Sequence, residues 1–308
     1  MGPFADYLSL TTPIESTDAV VSDIMPVLDA AGGSVEFGDE FSSTIRVGPT
    51  GTVVLKRRHG VFCVSASGDA LGTLRTSSLF GEYLAALSPH PHRVTRLDAT
   101  LDVVADAPVL IRSLWRLASA GRIALSHKRV PGVNCSKFIS PGAIDGRDTG
   151  SIYIGSKTAE IRAAVYDKRN KLFVDTGSDV GPLTRYEMRY KSGVGCTLAD
   201  AWDPTGVFWH YAAPGLLVRP DGVQPWVPHA EGFEMSERQT FTAAELMDRK
   251  LDGSSDVRRL LELAEQVGPL GLDLLCQRLR RMAAQGASST QGRPRGAEAV
   301  FGRPTPLQ

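Results

Sequence analysis

The chain has 308 residues, with 34 basic and 34 acidic side chains and a formal net charge of zero. Apolar residues make up 42 % and charged residues 22 %, which fits a folded globular protein of about two domains and excludes whole-chain disorder or a fibrous repeat. There is no apolar run of about 18 residues, so no membrane-spanning helix is expected.

The opening Met1 to Asp6 lacks a basic stretch followed by an apolar core, so no secretory signal is expected. Cys63, Cys135, Cys196 and Cys276 are scattered without CxxC spacing, which predicts reduced thiols and no zinc site. Tyr7 to Thr12 reads as a short strand. Ser16-Thr17-Asp18 is a capping cluster before a helix over 19–31, which Gly32-Gly33 ends. Thr44 to Val47 and Thr52 to Lys56 flank Gly48-Pro49-Thr50-Gly51 as a hairpin, 60–67 reads as a third strand, and 77–87 as a second helix.

A second run begins at His92. A long alternating strand covers 93–104, an amphipathic helix 108–120, and further strands 137–140, 150–155, 161–166 and 183–190. The order strand–helix–strand–strand–strand thus occurs twice, which suggests an internal duplication. Residues 205–240 read as a long irregular connection. Helices are predicted over 243–251, 256–266 and 270–284, and 286–308 as a Gly/Pro/Ser-rich disordered tail. The fold class expected is α+β, largely antiparallel sheet with flanking helices. The domains are an N-terminal half (1–91), a catalytic half (92–240), a helical segment (241–285) and the tail.

Charge is uneven along the chain. Residues 1–60 hold eight acids against four bases, and residues 121–192 hold thirteen Lys or Arg against seven acids. A basic middle suits a polyanionic partner, although uneven scatter would give the same counts.

Four segments carry possible chemistry. On the first, alternation puts Arg96, Asp98, Thr100 and Asp102 on one face. Asp98 and Asp102 are roughly 13 Å apart along the backbone, so they share a site only if their side chains converge or a third ligand and a cation lie between them; a solvated face is the alternative. On the second, Arg185, Glu187, Arg189 and Lys191 share a face, suiting a phosphate beside a metal or a charge-protected edge strand. On the third, Arg162, Ala164, Tyr166 and Lys168 alternate to one face. A tyrosine between cations is expected to be more acidic and more nucleophilic than a free phenol, or else to be a half-buried core residue. His90-Pro91-His92 could supply two metal ligands, but its Ser-Pro-His-Pro context reads as a turn.

Taken in order, these motifs resemble one family. Val94 to Asp102 resembles a "TRxDxxxD" strand. Tyr153-Ile154-Gly155-Ser156 with Ile161-Arg162 and Val165-Tyr166-Asp167-Lys168 resembles a "YxGS…IRxYDK" segment, and Thr184 to Arg189 an "xRxExR" strand. Val64 to Gly68 is similar to an "xxxSGxG" strand. The family is the replication initiation factors of rolling-circle plasmids and filamentous phages, with relaxases of small integrative elements, and the likeness covers roughly 60–195. It implies a DNA strand transferase that nicks one strand of an origin, joins a tyrosine to the 5′-phosphate and later religates. It would assign Tyr166 as nucleophile, Asp98, Asp102 and Glu187 to a Mg²⁺ or Mn²⁺ site, and Arg96, Arg162, Lys168, Arg169, Arg185 and Arg189 to DNA phosphates. The family spaces its arginine two residues before the tyrosine, whereas Arg162 stands four before Tyr166. Implied partners are duplex origin DNA, a single-stranded nick site and a host helicase, in a bacterial cytoplasm, with a homodimer open. A non-catalytic origin-binding regulator and a water-using metal phosphodiesterase are the other readings of the same residues.

Overall fold

The structure is a computed structural model. It describes residues 2–38, 42–58, 60–123, 125, 135–144, 148–213 and 215–228, together with Asp273 and Gln277. The chain divides into two compact units, Met1–Glu234 and Met235–Gln308. The helices expected between 243 and 285 and the tail lie outside the described residues, apart from those two positions.

The first unit runs β1 (Phe4–Pro13), α1 (Thr17–Ala30), β2 (Ser34–Gly38), β3 (Ser42–Val47), β4 (Gly51–Arg58), β5 (Val61–Ala66), α2 (Gly68–Thr76) and α3 (Phe80–Leu87). It continues with β6 (Arg93–Val103), α4 (Ala107–Ser119), β7 (Cys135–Pro141), β8 (Asp148–Ile154), β9 (Ile161–Asp167), α5 (Lys168–Thr176), β10 (Thr184–Lys191), α6 (Leu198–Trp202) and α7 (Thr205–Ala212). The fold is α+β. Among the described residues, ten strands form one antiparallel sheet in the order β2-β3-β4-β5-β1-β6-β10-β9-β8-β7.

That order contains the same unit twice. In each half a first strand is followed by a helix and four strands, and the fifth strand returns to lie beside the first. A helix pair then closes each half, α2–α3 in one and α6–α7 in the other. The expected unit was one strand short. The missing strand in the first half is β2, five residues at the sheet edge directly after Gly32-Gly33, too short to show alternation.

Alternation decides the two faces. Leu8, Leu10, Val53, Leu55, Phe62, Val64, Leu97, Ala99, Ile152, Ile154, Ala163, Val165, Met188 and Tyr190 are buried and join the helices in one core. On α1, Val20, Ile24 and Leu28 form a buried stripe at helical spacing; each such side chain contributes roughly 1.5–3 kcal/mol of burial. α4 starts at Asp106, whose carboxylate accepts from the Val109 N–H at 3.2 Å.

Three local expectations are corrected. Residues 77–87 are not one helix: α3 starts at Phe80, and the separate helix α2 is capped by Ser67. Ser78 lies between them with φ 60°, which breaks helical continuity. Residues 168–176, not assigned from sequence, form α5, because Asp167 caps them by accepting from the Asn170 N–H at 2.9 Å. Residues 205–212 belong to α7 rather than an irregular connection, since Val207, Phe208 and Ala212 are buried at helical spacing. Among the described residues no helix is long and apolar enough to cross a membrane.

Candidate active site on the polar sheet face

The second sheet face is polar, and ten strands at about 4.8 Å spacing make it roughly 43 Å wide. Its side chains fall into cross-strand rows fixed by register. One row is Ser151, Tyr166, Arg185, Asp102, across β8, β9, β10 and β6. The next is Tyr153, Ala164, Glu187, Thr100, Phe4. The third is Arg162, Arg189, Asp98, Tyr7. A fourth holds Lys191, Arg96 and Ser9, and Ser9 shares a 2.8 Å hydrogen bond with Ser65 on β5.

Every predicted residue of the three strands therefore reaches the same face. Tyr166 stands directly opposite Arg185, and Glu187 is its diagonal neighbour, a relationship that sets Cβ atoms about 7–8 Å apart. Ala164 is the small residue of the second row. A cleft of about 400 Å³ opens over it, walled by Tyr166, Glu187, Arg189, Tyr153 and Lys171.

The charges are heavily paired. Arg185, only 6 % exposed, donates to both Asp102 oxygens at 2.6 and 2.7 Å and to Asp6 at 3.1 Å. Arg96 binds Asp98 through two contacts, one of 2.8 Å, while its guanidinium lies 4.0 Å above the Tyr7 ring. Arg189 donates to Asp98 at 3.3 Å and to Glu187 at 3.2 Å. Asp6 escapes sequence detection. It reaches this face through a bulge in β1 between Ala5 and Tyr7, which sends two successive side chains the same way. A Cβ at Gly68 would stand 2.6 Å from Asp6 Oδ1, so glycine leaves that carboxylate its place.

The remaining predicted cations are dispersed. Arg162 covers the Tyr153 ring at 4.5 Å. Arg169 forms a two-pronged pair with Asp179 at 2.6 and 2.7 Å. Lys168 is the first residue of α5, where burial and then Arg185 lower its pKa. Lys191 donates to the Lys157 carbonyl. His90 meets Asp23 at 2.9 Å and His92 meets the His90 carbonyl at 2.7 Å, so the two imidazoles do not converge.

The expectation of an acidified tyrosine is corrected. Tyr166 has its pKa raised, because burial outweighs the opposing pull of Arg185, and Glu187 and Asp6 add to the rise. Glu187 is also raised, first by burial and then by Asp98. Asp6 is raised by burial despite Arg185.

Among the described residues, no three His, Cys, Asp or Glu side chains gather into a metal-binding group. Asp102 is held by Arg185, which separates it from the other two carboxylates. Asp98 and Glu187 are in neighbouring rows, and the buried Thr100 hydroxyl, directly opposite Glu187, has no hydrogen-bond partner. Those three oxygens could meet a hard divalent cation, although Asp98 is already held by Arg96 and Arg189 and Glu187 by Arg189.

No family model matches the chain, and no curated protein matches it. Among solved structures, it is similar to the rolling circle replication initiator protein from Geobacillus stearothermophilus, at 15 % identity and a TM-score of 0.47, over 68 % of this chain and 84 % of that one.

Proposed function

We propose that this chain is a rolling-circle DNA replication initiator that nicks one origin strand by attack of Tyr166. The observation that carries the reading is the placement of Tyr166 beside Glu187 and opposite Arg185, in a cleft on a broad polar sheet face. The motif resemblance of the same three strands supports it.

In the proposed reaction Tyr166 Oη forms a bond to phosphorus while the bond from phosphorus to the 3′-oxygen breaks. The phenol is neutral at the start, since its pKa is raised. Its proton passes to the Glu187 carboxylate, and the departing 3′-oxygen takes up a proton from solvent water to become a hydroxyl. The phosphotyrosine ester keeps the bond energy, so the reverse attack by a 3′-hydroxyl religates the strand. Arg189 and Lys171 in the cleft wall offset phosphate charge, while Arg185, held by Asp102 and Asp6, fixes the setting of Tyr166. A Mg²⁺ or Mn²⁺ would be held by Asp98, Glu187 and the Thr100 hydroxyl, and would polarise the phosphate as a Lewis acid. The first half of the sheet presents Ser9, Ser65, Thr11, Cys63 and Lys56 on the same face, which suits DNA contact without chemistry.

The test is a nicking assay on supercoiled DNA carrying the element's own origin, with Mg²⁺ or Mn²⁺, run on a denaturing gel. Wild type yields protein joined to a DNA 5′ end, and Tyr166→Phe yields none. Nicking by both without an adduct would assign the site to a water-using nuclease. Binding without nicking by either would make the protein an origin-binding regulator.

A further inference from the structure

Beyond the tyrosine cleft, the row that ends at Phe4 leads into a second pocket. It has a volume of about 370 Å³ and is lined by Phe4, Arg75, Ser78, Phe80, Gly81 and Trp202. Building on the function proposed above, we infer that this pocket takes one unpaired nucleobase of single-stranded DNA, together with its phosphate, adjacent to the Tyr166 cleft.

Rings and guanidinium groups alternate from one site to the other. Arg185, opposite Tyr166, lies 5.4 Å from the Phe4 ring centre. Arg75 lies 5.2 Å from Phe4 and 5.3 Å from Phe80. Phe80 and Trp202 stack with ring centres 5.9 Å apart and planes 12° apart. Single-stranded nucleic acid is held by this combination: aromatic faces for bases and cations for the backbone.

Two features of the pocket are left over by packing. Trp202 is 62 % exposed, an unusual state for an indole. Arg75 is partly buried, and its pKa is lowered by that burial, with Asp6 opposing and Arg185 adding to the effect. It donates to the Ala5 carbonyl at 2.7 Å, yet no carboxylate among the described residues forms an ion pair with it. A half-buried cation with no carboxylate in direct contact fits a phosphate.

The platform is also preset. A Cβ at Gly81 would stand 3.2 Å from Trp202 Cζ3, so the glycine allows the indole to lie against α3. The short helix α6 that carries Trp202 has a capping box between Thr197 and Asp200, and Trp226 Nε1 donates to Asp200 at 2.7 Å. A ring held in place before binding loses little freedom when a base stacks on it.

The test uses the full chain, a labelled single strand of mixed sequence and its duplex, with affinities read by anisotropy. Trp202→Ala is expected to weaken single-strand binding about tenfold and to change duplex binding by no more than about twofold. Trp202→Phe is expected to restore most of the loss. Arg75→Gln is expected to lower the salt dependence of single-strand binding by about one counterion. Equal losses for both DNA forms, or none for either, would overturn the base pocket. If Tyr166-dependent nicking stands while Trp202→Ala binds normally, only this inference fails. If the wild type binds neither form, it fails together with the proposed function.

Discussion

Tyr166 and Arg185 face each other across the β9–β10 ladder, and the arginine is tied on its far side to Asp102 and Asp6. The tyrosine of the cleft is thus set against a cation whose charge is already matched. Arg185 lowers the tyrosine's pKa less than burial raises it. Its part is to hold position within a buried ionic group.

Removing that cation should therefore be felt first in stability. Arg185→Met leaves the Asp102 and Asp6 carboxylates without their partner, and breaking such a buried pair costs about 3–5 kcal/mol. Urea unfolding of the variant is the measurement. Arg185→Lys should recover little, because an ammonium cannot make the two parallel bonds to Asp102.

Glu187 should make stability and activity respond oppositely to pH. Its carboxyl pKa is raised in the folded chain. Between the ordinary glutamate value and the raised one, the folded chain holds more protons than the unfolded chain. Stability from this group therefore falls as pH rises through that window, and the full penalty is present above it. Cleavage should rise over the same window, because only the ionised carboxylate accepts the Tyr166 proton. In Glu187→Gln the stability slope should flatten and the rising limb of cleavage should vanish, as paired unfolding and single-turnover profiles would show.

Ala164 keeps the cleft open. Leucine there would project from the polar face between Tyr153 and Glu187 and fill the space in front of Tyr166. Ala164→Leu should leave unfolding within about 1–3 kcal/mol of wild type while reducing adduct formation by at least about a hundredfold. Normal cleavage by a folded Ala164→Leu protein would place the chemistry elsewhere.

Metal binding should distinguish the carboxylates. Titration with Mn²⁺ is expected to lose its signal in Asp98→Asn and Glu187→Gln, and to keep it in Asp102→Asn, whose parent carboxylate stands two rows from Asp98. Chelation of the ion should slow cleavage by the wild type and leave the fold intact. Loss of binding in Asp102→Asn as well as in the other two variants would restore the original trio.

Much of this was readable along the chain. Arg96, Asp98, Thr100 and Asp102 alternate with apolar residues, as do Arg185, Glu187 and Arg189, so their strand and face follow from period-two burial alone. Asp106 before Pro108 marks the start of α4 through its own cap. Where local signals were weak, elements were missed: β2 is five residues long, and α2 starts at a glycine. The α+β class and the polar face of β6, β9 and β10 were determined by sequence, because each rests on alternation within a few residues, whereas the repeated unit was read one strand short.

Only the tertiary structure decided which charges meet. Asp6 and Arg185 are separated by 179 positions, and a bulge in β1 joins them. Asp98 and Asp102 share a strand face, yet they bind different arginines, because Arg189 and Arg185 on β10 fall opposite them one by one. Phe4, Arg75 and Trp202 come from β1, α2 and α6 and carry no common motif. Such neighbours depend on strand order and register, which are set by burial summed over the whole core rather than by any local pattern.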